Sequence, residues 1–203
     1  MSEKNAEPAI EISVVVPLYC EESNIDYLFG RLESVLNQLQ LTYEIVCVDD
    51  GSHDDTLKGL KAQRERNSRI KVIALSRNFG KEVALSAGID YACGQAVVPI
   101  DADLQDPPEL IETLVAKWKE GYDVVYAKRR SRQGESWFKK WTANAFYRVI
   151  GQMSNVPIPQ DTGDFRLLDR RVVEVLIRLP ERTRFMKGLF AWVGYQQIEV
   201  LYD

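Results

Sequence analysis

Short apolar runs alternate with amphipathic stretches over most of the chain. Residues 12–18, ISVVVPL, form a β-branched run bounded by polar positions, the pattern of a strand buried on both faces. From Asn24 to about Gln38 apolar residues recur at helical spacing (Ile25, Leu28, Phe29, Leu32, Val35, Leu36, Leu39), with Ser23 or Asn24 as candidate caps. The alternation continues: strand 43–48, helix 56–66, strand 70–75, helix 81–92, strand 95–100, a helix opening at Pro107-Pro108 and running to about Glu120, and strand 123–127. Beyond Lys128 the rhythm changes. A basic stretch leads to an amphipathic helix over about 137–152, a loop at 155–160, a short strand at 165–168, a helix at 170–178, a helical or irregular piece at 185–192 and a final strand at 196–202. Repeated strand–helix units predict an α/β fold with a mostly parallel central sheet and helices on both faces. Residues 1–11 read as a loose leader and 12–203 as one domain.

In such sheets ligands bind beyond the carboxyl ends of the strands, and acidic residues gather there in this sequence. The strongest group is Asp101-Ala-Asp103-Leu-Gln105-Asp106, leaving the strand that ends near Ile100. In an extended segment residues i and i+2 point to one side. Asp103 and Gln105 would then offer oxygens to a hard divalent cation, Mg²⁺ or Mn²⁺, which shares its shell with substrate phosphates, while Asp101 faces a sugar or ribose. The plain alternative is a solvated acidic turn capping the next helix. Asp49-Asp50-Gly51-Ser52 ends the second strand; its carboxylates suit a ribose or a base N–H, or else form an Asp-Gly turn with Ser52 or Asp54 as a cap. In the loop after the first strand, Tyr19 could stack on a base and Glu21 accept from it, or Glu21 could simply face a helix N-terminus.

Composition narrows the class. The chain has 203 residues, 45% hydrophobic and 28% charged, enough for a packed core. No apolar run reaches the ~18–20 residues of a membrane span, and the acidic, polar start is not a secretory signal. Cys20, Cys47 and Cys93 form neither a disulfide framework nor a zinc site, which fits a reducing cytoplasm. Cys47 and Cys93 sit in apolar patterns and are expected in the core; Cys20 has no evident activating partner, and the single histidine, His53, reads as a surface loop residue. Neither G-x-G-x-x-G after the first strand nor G-x-x-x-x-G-K-[ST] occurs, so dinucleotide and P-loop chemistry lack their fingerprints. Residues 128–148 hold seven bases and one acid, a local +6 that leaves −10 on the rest of a chain of net charge −4. A confined basic patch on an acidic body suits a specific anion rather than nucleic acid. Arg129, Arg132, Lys139 and Lys140 would neutralise phosphate. Trp137, Phe138, Trp141, Phe146 and Tyr147, interleaved with these charges, suit either a membrane-surface helix or a helix packed on the domain.

The order of the motifs is more specific than any one of them. Pro17-x-Tyr19-x-Glu21, Val-Asp49-Asp50-Gly-Ser, Ser-Arg-Asn78-Phe-Gly-Lys81, Asp101-Ala102-Asp103-Leu-Gln105-Asp-Pro-Pro and Asp161-Thr-Gly-Asp-Phe-Arg together resemble the inverting GT-A glycosyltransferases. Within these the chain is similar to the polyprenyl-phosphate branch, which includes dolichyl-phosphate mannose synthases and bactoprenol glucosyltransferases. The resemblance spans about residues 10–203. It implies a GT-A fold with a nucleotide-sugar half (12–128) and an acceptor half (129–203). Pro17, Tyr19, Glu21, Asp49, Asp50, Asn78, Lys81, Asp101 and Ala102 would form the nucleotide site. Asp101 and Asp103 would hold the sugar diphosphate, with Asp103 and Gln105 on the metal, Arg129 and Lys139 would hold the acceptor phosphate, and Asp161 would lie by the reacting centre. Two departures stand out: the family usually has Asn at the position of Cys20, and relatives continue past the position of Asp203 with an Arg-rich Gly-Ser-Lys segment and membrane helices.

The expected activity is transfer of a hexose, glucose from UDP-glucose first among the candidates, onto a polyprenyl phosphate with inversion, at the inner face of the cell membrane. Three competitors remain. One is a GT-A enzyme using a sugar hydroxyl, which needs a strong base. Another is a nucleotide-sugar-binding protein without transfer. The third is a nucleotidyltransferase, disfavoured by the lack of a Gly-rich phosphate loop. Self-association is left open.

Overall fold

The computed structural model describes residues 9–130, 162–179, 189–190 and 194–202. The helix expected over 137–152, the loop over 155–160, and with them Arg132, Lys139, Lys140 and Asp161, lie outside the described residues. A seven-stranded sheet runs in the order β3-β2-β1-β4-β6-β5-β7. Its strands are β1 (Ile12–Leu18), β2 (Tyr43–Asp49), β3 (Ile70–Ala74), β4 (Ala96–Pro99), β5 (Val124–Arg129), β6 (Thr162–Asp169) and β7 (Gln197–Tyr202). Helices α1 (Ile25–Gln38), α2 (Thr56–Arg66), α3 (Lys81–Tyr91), α4 (Leu110–Lys119) and α5 (Arg170–Arg178) connect and cover them. All strand pairs are parallel except those of β6, which runs antiparallel to both β4 and β5. The α/β class and mostly parallel sheet expected from the sequence are what is found.

The strands are apolar throughout because both faces are covered. Val14 and Val16 of β1 pack with Leu28, Leu32 and Leu36 of α1 and Ile111 and Leu114 of α4. Val15, one position out of phase, packs on the opposite face with Leu85 and Ile89 of α3 and Val172 and Leu176 of α5. The period of two sends alternate residues to separate cores. Trp118 of α4 reaches β6 by donating from Nε1 to Asp169 Oδ2 (2.7 Å). Asp169 also caps α5 by accepting from Arg171 N.

Several expectations are corrected. Glu11 is not loose: its amide donates to Thr42 O (2.9 Å) and its carboxylate accepts from Thr42 N (2.9 Å), so the ordered chain begins before β1. The helix opening at Pro107-Pro108 begins at Leu110 instead, after turns in which Leu110 N and Ile111 N donate to Pro107 O and Pro108 O. Cys47 is fully buried, and burial pushes its thiol well above the ordinary range. Cys93 is exposed rather than core, because α3 ends at Tyr91 and the loop turns its Sγ outward to within 3.5 Å of Lys71 Nζ.

At the end of the sheet opposite the acidic loops, Glu44 is buried as a charge. Its Oε1 accepts from Ser13 Oγ (2.6 Å) and Cys93 N (2.7 Å), while Lys71 Nζ holds Oε2 at 2.5 Å as an ion pair. Burial pushes the carboxyl up, but the bonds from Lys71, Ser13 and the Cys93 amide outweigh it, and its pKa lies below the ordinary 4.5. A carboxyl depressed by folding stabilises the native state above its unfolded pKa, and that contribution is lost as pH falls through the lower native value. Glu44→Gln is therefore expected to be less stable than wild type at pH 7. The gap in urea-unfolding free energy should narrow as pH falls below 4.5. A gap that stays constant from pH 7 to pH 3 would remove Glu44 from the acid response.

Candidate active site

The carboxyl ends of β1, β2, β3 and β4 open on one cleft of about 360 Å³. Parallel register brings their loops side by side: Leu18 pairs with Asp49, and Asp49 with Ala74. Pro17, Tyr19, Glu21, Asp50, Asn78, Lys81, Asp101, Ala102 and Asp103 all line the cleft. Leu18, Gly80 and Ala84 line it too and were missed. Their signal was positional, a strand's last residue and the first turn of a helix, rather than chemical.

The loops are stitched together by side chains. Leaving β1, Cys20 takes a left-handed φ of 54°, and its amide donates to Ser52 Oγ (2.9 Å). The amide of Glu21 donates to Thr56 Oγ1 (2.8 Å), and Asn24 Nδ2 donates to Glu21 Oε2 (2.6 Å). Cys20 does have a partner: its Sγ lies 3.2 Å from His53 Nδ1, and the His53 and Tyr19 rings meet in a T-shaped contact with centroids 6.0 Å apart. Sequence spacing hid this contact, since it needs the β1 and β2 loops to be neighbours. Tyr19 is 44% exposed on the cleft wall.

Asp50 is 2% exposed, and its two oxygens accept from Phe79 N and Gly80 N, each at 2.8 Å. It thus shapes the loop carrying Asn78 as well as lining the cleft. Arg77 stacks on Phe79 at 4.0 Å beside it. Asp49 is equally buried but does not line the cleft; its Oδ1 accepts from Ser52 N (3.3 Å). The turn at Gly51 has a φ of +68°, and a Cβ there would fall 2.3 Å from the carbonyl carbon of Arg77.

Residues 101–105 are not extended. Leu104 N donates to Asp101 O (3.2 Å), and Leu104 has a left-handed φ of 49°. Asp101 and Asp103 both face the cleft, but Gln105 is not among its lining residues; its carbonyl accepts from Arg129 Nη2 (2.8 Å). Asp101 is paired with Lys81, whose Nζ lies 2.7 Å from Oδ1 and 2.9 Å from Oδ2. Asp103 is exposed, with Oδ1 accepting from Gln105 N (3.1 Å).

Four carboxylates, those of Glu21, Asp50, Asp101 and Asp103, thus face the cleft with Lys81 among its described lining residues. Such a cleft repels a diphosphate unless a cation accompanies it. No cluster of three or more His, Cys, Asp or Glu able to hold a metal is found among the described residues. Asp103 supplies a hard oxygen at the mouth. This donor set fits a Mg²⁺ or Mn²⁺ ion that completes its shell with ligand phosphates and water.

The sheet order and the acidic cleft at its strand ends are those of a GT-A-like domain. The chain belongs to glycosyl transferase family 2, whose profile matches residues 13–177. It is 66% identical over 194 residues to the uncharacterized glycosyltransferase sll0501 of Synechocystis, covering 96% of this chain and 61% of that protein. It is 42% identical over 193 residues to the bactoprenol glucosyl transferase of Shigella phage SfV, covering 95% of this chain and 63% of that protein. The chain thus spans less than two thirds of the length of these curated relatives. Among solved structures it resembles the mannosyltransferase PcManGT of Pyrobaculum calidifontis in complex with GDP-Man and Mn²⁺. The TM-score is 0.65 at 21% identity, over 94% of this chain and 55% of that one. It also resembles the glucosyl-3-phosphoglycerate synthase of Mycobacterium tuberculosis in complex with Mn²⁺, UDP and phosphoglyceric acid. Here the TM-score is 0.55 at 24% identity, over 80% of this chain and 57% of that one. These two likenesses establish the GT-A fold. No helix among the described residues is long and apolar enough to cross a membrane.

Gly51 and Gly30 make a paired test of the site. Gly51→Ala should lose stability by at least about 1–3 kcal/mol from the left-handed backbone alone, and with it nucleotide binding, because the Arg77–Asn78 backbone must move. Gly30→Ala, on an open face of α1 with nothing within 4 Å, should gain about 0.5–1 kcal/mol. Urea titrations with and without UDP read both; a Gly51→Ala chain that binds UDP like wild type would refute the role given to that turn.

Proposed function

We propose that the chain is the catalytic domain of a metal-dependent glycosyltransferase that moves a hexose, glucose from UDP-glucose first, onto a polyprenyl phosphate with inversion at the anomeric carbon. The observation that carries this reading is the acidic cleft at the strand ends, with Asp103 at its mouth and the Arg129 guanidinium on the neighbouring Gln105 carbonyl. Supporting it are relatives at 42% identity named bactoprenol glucosyl transferases.

In this reading Tyr19, Glu21, Asp50 and Asn78 receive the base and ribose, and Lys81 and Asp101 face the sugar diphosphate. Asp103 would hold Mg²⁺ or Mn²⁺ from the cleft, while Gln105, expected beside it, is not among the cleft's lining residues. When bound, that ion neutralises the charge that builds on the departing nucleoside diphosphate. Lys81 stands ready to exchange Asp101 for a diphosphate oxygen.

The acceptor is a phosphate monoester with a second pKa of about 6, already largely dianionic at neutral pH. Its oxygen needs little help from a base. Its difficulty is electrostatic: it must approach a site lined with carboxylates. Arg129, and Lys139 from the undescribed stretch, offset that repulsion and aim the oxygen at the anomeric carbon. Asp161 orients one of the two substrates there. The same basic stretch would set the domain against the cytoplasmic face of the membrane, where the lipid acceptor resides.

Thermal melting tests the donor half. UDP at a hundredfold excess over its Kd should add about 2.7 kcal/mol of stability, only with Mn²⁺ or Mg²⁺ present, and Asp103→Asn should abolish the metal dependence. Arg129→Ala should keep the UDP response and lose transfer to a short-chain prenyl phosphate. Metal-independent UDP binding, or near wild-type transfer by both variants, would overturn the mechanism. Transfer to a sugar alcohol in place of the lipid phosphate would favour a hydroxyl acceptor, and donor binding without any turnover would favour a binding protein.

A further inference from the structure

Arg129 ends β5 beside Tyr202 of β7, the two being paired in parallel register. Its guanidinium lies over the Tyr202 ring, 5.4 Å from the centroid, and its Nη2 donates to Gln105 O. Asp106, one residue further along the same turn, places Oδ1 3.9 Å from that nitrogen. The Asp106 side chain is 18% exposed and that of Arg129 34%. A shielded carboxylate this close to a guanidinium normally closes into a forked pair with bonds of roughly 2.7–2.9 Å. Here it does not. The same Asp106 Oδ1 accepts a hydrogen bond from the Tyr202 hydroxyl. Burial, reinforced by Asp106, pushes the Tyr202 phenol above its ordinary pKa against the opposing charge and N–H contact of Arg129, so it keeps its proton and donates at neutral pH.

A closed Arg129–Asp106 pair would spend the arginine's charge within the protein. Held as it is, the guanidinium gives N–H groups to Gln105 O and the Tyr202 hydroxyl and retains others among its five donors. We propose that Tyr202 is a positioning residue: its hydroxyl holds Asp106 back from Arg129, so that Arg129 keeps its charge and its remaining N–H groups for the phosphate of the incoming acceptor. This rests on the acceptor reading given above. It adds that Tyr202 and Asp106, which touch no substrate, set how strongly the acceptor binds.

The test uses the full chain with two changes. Tyr202→Phe keeps the ring under Arg129 and removes only the hydroxyl. Against a wild-type crystal structure, the variant should show Arg129 and Asp106 closed from 3.9 Å to a forked pair. Its KM for a short-chain prenyl phosphate should rise about tenfold, the low end of what a bond to a charged group is worth, while the Kd for UDP with Mn²⁺ stays within about twofold, since no donor contact is lost. Adding Asp106→Asn to Tyr202→Phe should recover most of the acceptor KM, because the amide has no charge to draw Arg129 in; a purely structural role for Tyr202 predicts further loss instead. The proposal is overturned if Arg129 keeps its distance from Asp106 in the Tyr202→Phe crystals, or if the double variant is no better than the single. If wild type itself transfers nothing to a prenyl phosphate, the acceptor reading falls, and the crystal distance alone then decides whether Tyr202 restrains Asp106.

Discussion

Two backbone amides, those of Phe79 and Gly80, end on the two oxygens of one buried carboxylate, Asp50. Much of the site depends on that arrangement. Asp50 leaves β2, while Asn78 and Lys81 come from the far side of β3. Nothing in the strand pairing alone would hold the 77–80 segment over the end of β2. The carboxylate does so because a buried charge must be satisfied, and two convergent N–H groups satisfy it well. Gly51 lets the segment come close enough, since any side chain there would meet the Arg77 backbone. The charge that builds the cleft wall also lines the cleft.

Four of the chain's 30 acidic residues line this cleft, and among its described lining residues Lys81 answers them directly. The Lys81–Asp101 pair keeps the two groups from standing uncompensated before a ligand arrives. Both side chains remain more than a third exposed, so separating them is cheap. Lys81 also opens α3, and a helix N-terminus favours an approaching anion.

The first half of the fold was legible because its strands are buried on both faces and therefore read as uninterrupted apolar runs, as at 12–18 and 43–48. The acidic motifs were legible for the same reason: each follows such a run directly. What escaped notice is what depends on distant neighbours. The Cys20–His53 contact requires two loops to lie side by side, although Leu18 and Asp49, a few residues before each, are partners in register. Cys93 looked internal because the residues around it are apolar, yet it falls in the turn between α3 and β4. The double proline seemed to open a helix, but it spends its first residues in turns. Gln105 was placed with Asp103 on the assumption of an extended segment, and the left-handed Leu104 redirects the chain between them.

Strand β6 was visible as a strand, but its place was not. It enters the sheet antiparallel between β4 and β5. A strand formed from residues 162–169 therefore separates two that precede it by dozens of positions. The described segments before and after residue 130 consequently share one sheet and are not units joined by a tether. A nascent chain ending before Thr162 would carry β4 with an unpaired edge and β5 with no neighbour on either side. Sheet closure during synthesis must await a late segment, and until then one edge of β4 and both edges of β5 are open to mispairing.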